Sequence, residues 1–236
     1  MTTPKFSLSH RVRMPVETPD AGKRPPLLLL LHGYGSNEAD LFGLAPYTDR
    51  RFLVVSARAP YVLDAGSYAW FNLTFTERGI VSDMEEAERS LARLSQFVGE
   101  LGEAYEFDAG RVYLMGFSQG AMLALGAALT EPERVAGVVA MSGRLSAGAL
   151  EGKMAAPEAL EGLPVFITHG TYDPMIPVEG ARQTREALSK LPIALTYREY
   201  PMAHEVSLES LRDISAWLVA RLDEDRRGSS SDVRDV

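Results

Sequence analysis

Gly116-Phe117-Ser118-Gln119-Gly120 is the stretch that decides the fold of this 236-residue chain. It follows an apolar run, Val112-Tyr113-Leu114-Met115, and precedes a helix-prone stretch, residues 121–128. A G-x-S-x-G pattern between a strand and a helix is typical of a sharp turn that exposes a nucleophilic serine. The two glycines fit this turn because a Cβ at either position would crowd the strand or the helix beside it. The alternative is an ordinary strand-to-helix turn whose serine only caps the helix.

The length and composition of the chain are those of a single α/β domain. A chain of 236 residues fits one such domain without a second core. The longest uninterrupted apolar run, Leu27–Leu31, is too short to cross a bilayer, so no integral membrane association is expected. The segment Met1–Ser7 lacks a basic region followed by an apolar one, so the sequence predicts no secretory signal and a cytoplasmic protein.

Charge and cysteine content exclude several classes of function. The formal net charge of −8 argues against nucleic acid or anionic lipid surfaces as main partners, because these usually require basic patches. The absence of cysteine excludes disulfides, a thiol nucleophile and thiolate metal ligands. Serine is therefore the candidate nucleophile.

Continuous apolar runs alternate with helical patterns, which predicts a mostly parallel central sheet with helices on both faces. The predicted strands are Leu27–Leu31, Phe52–Val55, Val112–Met115, Val135–Met141, Val165–Thr168 and Leu195–Tyr200. Alternating apolar and polar residues over Phe6–Val16 predict an antiparallel edge strand. Two segments, Tyr61–Ile80 and Gly143–Gly162, resist regular assignment and are candidates for loops that shape a binding site.

Apolar residues at three- and four-residue spacing predict helices at Ser82–Tyr105, Val178–Leu191 and Glu205–Leu222. Ser82 and Glu85 form an S-x-x-E pattern, which predicts a capping box at the start of the first helix. Residues 1–222 are therefore expected to form one domain. The polar and charged tail, residues 223–236, is expected to be disordered.

A serine nucleophile needs a base, and the base needs a carboxylate that holds its tautomer and orientation. In α/β proteins with this serine motif, the order along the chain is serine, acid, histidine. Asp173 is the one aspartate between Ser118 and His204, the last of four histidines. Because both residues follow predicted strands, all three are expected at the carboxyl edge of the sheet. The alternatives are a turn role for Asp173, a capping role for His204, and one of eight intervening glutamates as the acid.

Acyl transfer also requires backbone N–H groups that bind the oxyanion. Gln119, directly after the serine, is the first candidate, and Tyr34, in the glycine-containing stretch after the Leu27–Leu31 strand, is the second. His32 and His169 raise the alternative of a metal site with the triad residues. No H-x-x-x-H or H-E-x-x-H spacing is present, so neither a metal nor another cofactor is expected.

With these residues in place, the chain resembles the phospholipase/carboxylesterase family of α/β-hydrolases, which includes the acyl-protein thioesterases. The segments that carry the resemblance are Leu31–Glu38, Ala59-Pro60, Ala69–Phe71, Gly116–Gly120, His169–Pro177 and His204-Glu205. It implies a cofactor-free serine hydrolase that cleaves carboxylic esters and sometimes thioesters through Ser118, Asp173 and His204. Ala121 stands where many members have a further glycine, and the segment before Trp70 resembles the bacterial esterase branch. Activity on lipidated proteins is therefore not expected.

Apolar side chains near the predicted site are candidates for an acyl pocket: Trp70, Phe71, Phe75, Met175, Ile176 and Met202. Core packing is the alternative for each of them. The sequence thus predicts a serine carboxylesterase that hydrolyses small-molecule esters with short to medium apolar acyl chains through an acyl-serine intermediate. A lysophospholipase, an acyl-thioesterase or a peptidase of the same fold, and a catalytically silent ligand-binding protein, are the open alternatives. The sequence leaves a homodimer open.

Overall fold

A seven-stranded sheet runs through the centre of the computed structural model, which describes residues 6–17, 23–76, 79–145, 150 and 152–231. The side chains of residues 75–80 and 225–231 are outside this description. The strands within it are β1 (His10–Arg13), β2 (Leu27–Leu31), β3 (Leu53–Ala57), β4 (Tyr61–Asp64), β5 (Ser67–Ala69), β6 (Leu73–Thr76), β7 (Gly79–Ser82), β8 (Val112–Phe117), β9 (Gly137–Met141), β10 (Pro164–Gly170) and β11 (Ala194–Tyr200). The order across the central sheet is β1-β3-β2-β8-β9-β10-β11.

All neighbouring strands of this sheet are parallel except β1, which pairs antiparallel with β3 at one edge. Every residue of β2, β3 and β9 is buried, as expected for parallel strands covered on both faces. The predicted central strands are thus present, Leu27–Leu31 with the same bounds and the others with bounds that differ by one or two residues. The edge strand is shorter than the alternation over Phe6–Val16 suggests.

Within the described residues, four helices cover the sheet: α1 (Met84–Ala104), α2 (Gln119–Thr130), α3 (Val178–Leu188) and α4 (Leu208–Ser231). Short 3₁₀ turns lie at Leu41–Tyr47, Pro132–Arg134 and Pro157–Leu160. Alternate leucines of β2 enter two separate cores. Leu29 packs in the core that includes α1 and α2, and Leu30 packs in the one that includes Ile214 of α4. The prediction of helices on both faces of a mostly parallel sheet is confirmed.

The segment Tyr61–Ile80, which resisted assignment from sequence, contains two antiparallel hairpins, β4 with β5 and β6 with β7. Gly66 forms the first turn with φ at +77°, a conformation that glycine adopts readily. The predicted capping box is wrong: Ser82 belongs to β7, and the Asp83 side chain caps α1 by accepting the Glu86 N–H at 3.0 Å. The N-cap residue is thus Asp83, one position after Ser82. Its negative carboxylate also interacts favourably with the positive N-terminal end of the helix dipole.

The last helix extends past its predicted end at Leu222 and runs to Ser231, into the segment for which the sequence predicts disorder. No glycine or proline interrupts residues 223–227, and Asp223 pairs with Arg51 at 2.7 Å. The division into one domain, residues 1–222, and a disordered tail stays a prediction. Within the described part of the chain, none of the helices is long and apolar enough to span a membrane.

Candidate active site

Ser118 occupies a tight turn between the end of β8 and the start of α2. Its φ of 53° and ψ of −114° are unusual for a residue with a side chain. A Cβ on Gly120 would lie 2.0 Å from the Leu31 carbonyl oxygen, and one on Gly116 would lie 2.2 Å from the Gly120 oxygen. Because these neighbours are backbone atoms, only glycine fits at either position. The two glycines therefore force the strand, the turn and the helix together and leave the serine at the carboxyl edge of the sheet.

The three side chains predicted to act together lie in one chain of hydrogen bonds. His204 Nε2 is 3.0 Å from Ser118 Oγ, and His204 Nδ1 is 2.7 Å from Asp173 Oδ2. A carboxylate oxygen accepts, so Nδ1 carries the proton and Nε2 is left to accept from the serine hydroxyl. The buried Asp173 also accepts the Met175 and Ile176 N–H groups on Oδ1, each at 2.8 Å. The two backbone N–H groups thus hold the carboxylate in the orientation in which its other oxygen accepts from His204.

Two loops at neighbouring strand ends bring the acid and the histidine together. Asp173 follows β10 and His204 follows β11, and these two strands are paired in parallel. A Cβ on Gly170 would lie 2.2 Å from the Met202 carbonyl oxygen, so the two loops touch backbone to backbone. The Tyr172 N–H donates to the same Met202 oxygen at 3.1 Å. The glycine at the end of β10 therefore permits the contact that places Asp173 beside His204.

His169, the second-last residue of β10, contacts both Asp173 and the turn that follows it. It is fully buried, and its Nε2 lies 2.8 Å from the Ile176 carbonyl oxygen and 3.4 Å from Asp173 Oδ2. One N–H therefore faces both the loop carbonyl and the carboxylate. This contact ties His169 to the 173–176 turn.

The loop after β2 runs along the serine. A Cβ on Gly33 would lie 3.4 Å from Ser118 Cβ. The Gly33 carbonyl oxygen accepts from His32 Nδ1 at 2.7 Å and from the Ser36 N–H at 3.2 Å. In a planar trans peptide the C=O and the next N–H point in opposite directions, so the Tyr34 N–H is directed away from these two donors. Among the described residues, neither the Tyr34 N–H nor the Gln119 N–H has a backbone acceptor.

His32 is buried and held in one tautomer. Its Nε2 accepts the Ala59 N–H at 3.0 Å, which leaves Nδ1 as the donor to Gly33. Burial lowers the pKa of His32 below its ordinary value, so the imidazole is neutral around pH 7. His32 thus orients the Gly33 peptide without adding charge to the site.

Gln119 and Trp70 join the serine turn to the loop after β2. Gln119 Oε1 accepts the Trp70 N–H at 2.8 Å, and Gln119 Nε2 donates to the Phe71 carbonyl oxygen at 2.6 Å. The Trp70 indole N–H donates to the His32 carbonyl oxygen at 2.9 Å. The sequence predicts Trp70 as a candidate wall of the acyl pocket, but its side chain is fully buried between these two segments. The sequence pattern did not reveal these hydrogen bonds, because they join residues that are 38 and 49 positions apart in the chain.

A cavity of about 70 Å³ lies beside the serine turn, between α1, α2 and the residues after β9. Its walls include Phe71, Met84, Ala87, Leu91, Met122 and Leu145, and Arg144 lies among them. The Met122 N–H donates to the Ser118 carbonyl oxygen at 3.2 Å, and a Cβ on Gly143 would lie 3.0 Å from the same oxygen. The start of α2 and the segment after β9, which both contribute walls, therefore contact the serine turn.

Of the predicted pocket residues, Phe71 lines this cavity. Met175 is 60% exposed, and Met202 is buried in the histidine loop next to the triad. Ile176 is half-buried in the turn that holds Asp173, and the side chain of Phe75 lies outside the described residues. The sequence reasoning missed Met84 and Leu91, whose spacing along α1 is a helical-face signal. It also missed Met122, one turn beyond the serine.

Comparisons with known proteins show which proteins this chain resembles. A family model described as phospholipase/carboxylesterase matches residues 14–221. An acyl-protein thioesterase 1 of Kluyveromyces lactis is 30% identical over 212 residues, which cover 81% of this chain and 90% of that protein. The crystal structure of an esterase named PE8 has a TM-score of 0.76 at 28% identity and covers 90% of this chain and 98% of that one. A Bacillus cereus carboxylesterase has a TM-score of 0.75 at 25% identity, with 91% and 95% covered.

Proposed function

The chain belongs to the phospholipase/carboxylesterase family, and from this premise we propose that it is a serine carboxylesterase acting on small esters with short to medium apolar acyl chains. The observation that carries the proposal is the hydrogen-bonded series Ser118, His204 and Asp173, with distances of 3.0 and 2.7 Å. A serine hydroxyl, an imidazole and a buried carboxylate, hydrogen-bonded in this order, are the parts that acyl transfer requires.

In the first half of the reaction, Ser118 Oγ attacks the ester carbonyl carbon while His204 Nε2 takes the hydroxyl proton. Asp173 holds the imidazole and balances the charge that forms on it. The carbonyl oxygen becomes an oxyanion, for which we assign the Tyr34 and Gln119 N–H groups as donors. The C–O bond to the alcohol then breaks, His204 returns the proton to the leaving alcohol, and an acyl-Ser118 ester remains.

In the second half, a water molecule replaces the alcohol. His204 Nε2 takes a proton from this water as its oxygen attacks the acyl carbon, and the same N–H groups bind the second oxyanion. The bond to Ser118 Oγ breaks, the serine recovers its proton from His204, and the free acid leaves. No oxidant, reductant or cofactor enters either half.

The cavity beside Ser118 supports a short to medium acyl chain. Its volume of about 70 Å³ is small, which favours a short to medium chain over a long one. Met122 and Leu145 give it largely apolar walls, which favour a hydrocarbon chain over a sugar.

The test is hydrolysis of p-nitrophenyl esters from acetate to palmitate by the wild type and by Ser118→Ala. We expect turnover that peaks among the shorter chains and disappears in the variant. A fluorophosphonate probe should label the wild type at Ser118 and leave His204→Ala unlabelled or very slowly labelled. Full turnover by Ser118→Ala would refute the proposal, and a folded wild type without labelling or turnover would favour a ligand-binding role.

A thioesterase activity is the second candidate, because the Kluyveromyces lactis relative is named an acyl-protein thioesterase. The same serine and oxyanion donors would serve a thioester. Parallel assays of butyryl thiocholine and butyryl choline, which differ in one atom, separate the two activities. A ratio of kcat/KM above ten in favour of the thioester would make the thioesterase reading the better one.

A further inference from the structure

Among the charged residues that line the cavity, Arg144 is the one that forms no ion pair within the described part of the chain. The other two charged groups there, Glu88 and Lys153, pair with each other. On α3, which Arg144 packs against, Glu179 pairs with Arg182 at 3.3 Å. The protein carries 32 acidic and 24 basic residues, so an unpaired cation beside the cavity is unexpected on composition alone.

The backbone around Arg144 is fixed on both sides. Before it, a Cβ on Gly143 would lie 2.6 Å from Ala121 Cβ, which shows how closely this segment approaches the start of α2. After it, the Leu145 N–H donates to Thr184 Oγ1 of α3 at 2.8 Å. The position of Arg144 relative to the serine turn is therefore set by contacts with two helices.

The side chain is half-buried and its stem packs against α3. A Cβ on Gly180 would lie 3.6 Å from Arg144 Cδ, 3.8 Å from Arg144 Cβ and 3.6 Å from Ile176 Cγ2. This contact restricts the aliphatic stem and so lowers the entropy lost when the guanidinium binds a ligand. A partly desolvated guanidinium gains most from an anionic acceptor, with which it forms two parallel hydrogen bonds.

We propose that Arg144 is an anion subsite of the acyl cavity and that the preferred substrates are esters whose acyl chain ends in a carboxylate, as in monoesters of dicarboxylic acids. This inference rests on the proposed esterase function and refines it. The apolar walls take the methylene groups, and the guanidinium binds the terminal carboxylate. The acyl half carries the anion because Arg144 shares its cavity with Phe71, Met122 and Leu145.

The test compares two esters with the same six-carbon acyl chain, ethyl hexanoate and monoethyl adipate, in a pH-stat assay. We expect the wild type to favour the adipate ester. In Arg144→Met the ratio of kcat/KM, adipate over hexanoate, should fall roughly 10- to 100-fold, the range of one hydrogen-bonded charge. Arg144→Lys should restore part of it. The matched control, Lys190→Met, removes a cation that is paired with Glu186 and lies outside the cavity, and it should leave the ratio within about twofold.

Hexanoyloxyacetate carries its carboxylate on the alcohol half of the ester. It therefore tests whether Arg144 acts on the acyl group or on the leaving alcohol. An unchanged adipate ratio in Arg144→Met, or an effect of this variant only on hexanoyloxyacetate, would overturn the proposal. Calorimetry with Ser118→Ala gives a readout without turnover: adipate should bind more tightly than hexanoate, and Arg144→Met should abolish the difference. Equal binding would overturn the subsite, whereas absence of ester hydrolysis by the wild type would refute only the esterase function.

Discussion

The Gln119 side chain accepts the main-chain N–H of Trp70 at 2.8 Å, although the two residues are 49 positions apart. The residue after the nucleophile therefore has two tasks. In the proposed mechanism its backbone N–H binds the oxyanion, and its side-chain amide holds Trp70, whose indole N–H donates to the His32 carbonyl oxygen before the loop after β2. Both proposed oxyanion donors depend on this one contact.

Gln119→Leu should therefore weaken catalysis and stability together. It leaves the Trp70 N–H and the Phe71 carbonyl without their side-chain partner, and an unsatisfied buried group costs about 1–3 kcal/mol. We expect a loss of that size in the free energy of unfolding from urea titration, and a fall in kcat of roughly tenfold or more. Gln119→Glu keeps the acceptor for Trp70 but sets a carboxylate oxygen against the Phe71 carbonyl oxygen, so at pH 7 it should lose at least as much stability as Gln119→Leu. A kcat within twofold of wild type in Gln119→Leu would disprove the link.

His32 should act through its Nδ1 donor. Asparagine places an N–H donor near the position of Nδ1, whereas glutamine places an acceptor near that of Nε2. We expect His32→Asn to retain most of kcat and His32→Gln to lose roughly 10- to 100-fold at unchanged KM, because the Gly33 peptide matters for the oxyanion and not for substrate binding. Steady-state kinetics on one p-nitrophenyl ester decide this. The reverse ranking of the two variants would assign the role to the Ala59 contact instead.

Asp173→Asn tests the acid. The asparagine oxygen still accepts from the Met175 and Ile176 N–H groups, but its NH₂ group cannot accept the Nδ1 proton of His204. Tautomer and orientation are then wrong, and kcat should fall roughly 10³- to 10⁴-fold with little change in unfolding. Asp223→Asn, which removes a carboxylate paired with Arg51, is the control and should retain full activity. Near wild-type kcat in Asp173→Asn would require a different acid.

Glu38 should make the loop after β2 sensitive to acid. Its carboxylate binds Arg58 through two contacts of 2.6 Å, and this pairing lowers the pKa of Glu38 below its ordinary value of 4.5. A lowered pKa stabilises the folded state above pH 4.5 and loses this effect as pH falls through the folded-state pKa. The difference in unfolding free energy between wild type and Glu38→Gln should thus be present at pH 7 and shrink below pH 4.5.

Glu161→Gln is the matched control for that pH series, because the Glu161 side chain is exposed and makes no ion pair within the described part of the chain. Its unfolding curve should follow that of the wild type at each pH. A difference for Glu38→Gln that is independent of pH would show that the carboxylate does not contribute through its charge.

The sequence predicts the parts of this molecule that depend on local chemistry. Leu27–Leu31 has the same bounds in prediction and structure, because a run of five leucines buried on both faces admits few alternatives. The hairpins in Tyr61–Ile80 were missed, since their strands have only three or four residues and little periodicity. The cap of α1 was misplaced by one residue because Ser82 and Asp83 are both good caps, and only the pairing of β7 excludes the serine.

The catalytic candidates were found for a different reason. Ser118, Asp173 and His204 each follow a strand of a parallel sheet, and such strand ends meet at one edge whatever the loops between them do. No similar rule applies to the cavity. Its walls come from α1, α2 and the residues after β9, so its shape depends on how helices pack and not on any short pattern. Arg144 and Met122 could therefore not be assigned from sequence.

The wall of the cavity that α1 contributes offers a way to change chain-length preference. Met84, Ala87 and Leu91 occupy a single face of α1, and no hydrogen bond joins their side chains to the serine turn in the described structure. If the cavity binds the acyl chain as proposed, substitutions on this face should change the space for that chain and leave Ser118, His204 and Asp173 in place. Bulkier residues at Ala87 and smaller ones at Met84 or Leu91 form a compact library with which chain-length preference can be redesigned in either direction.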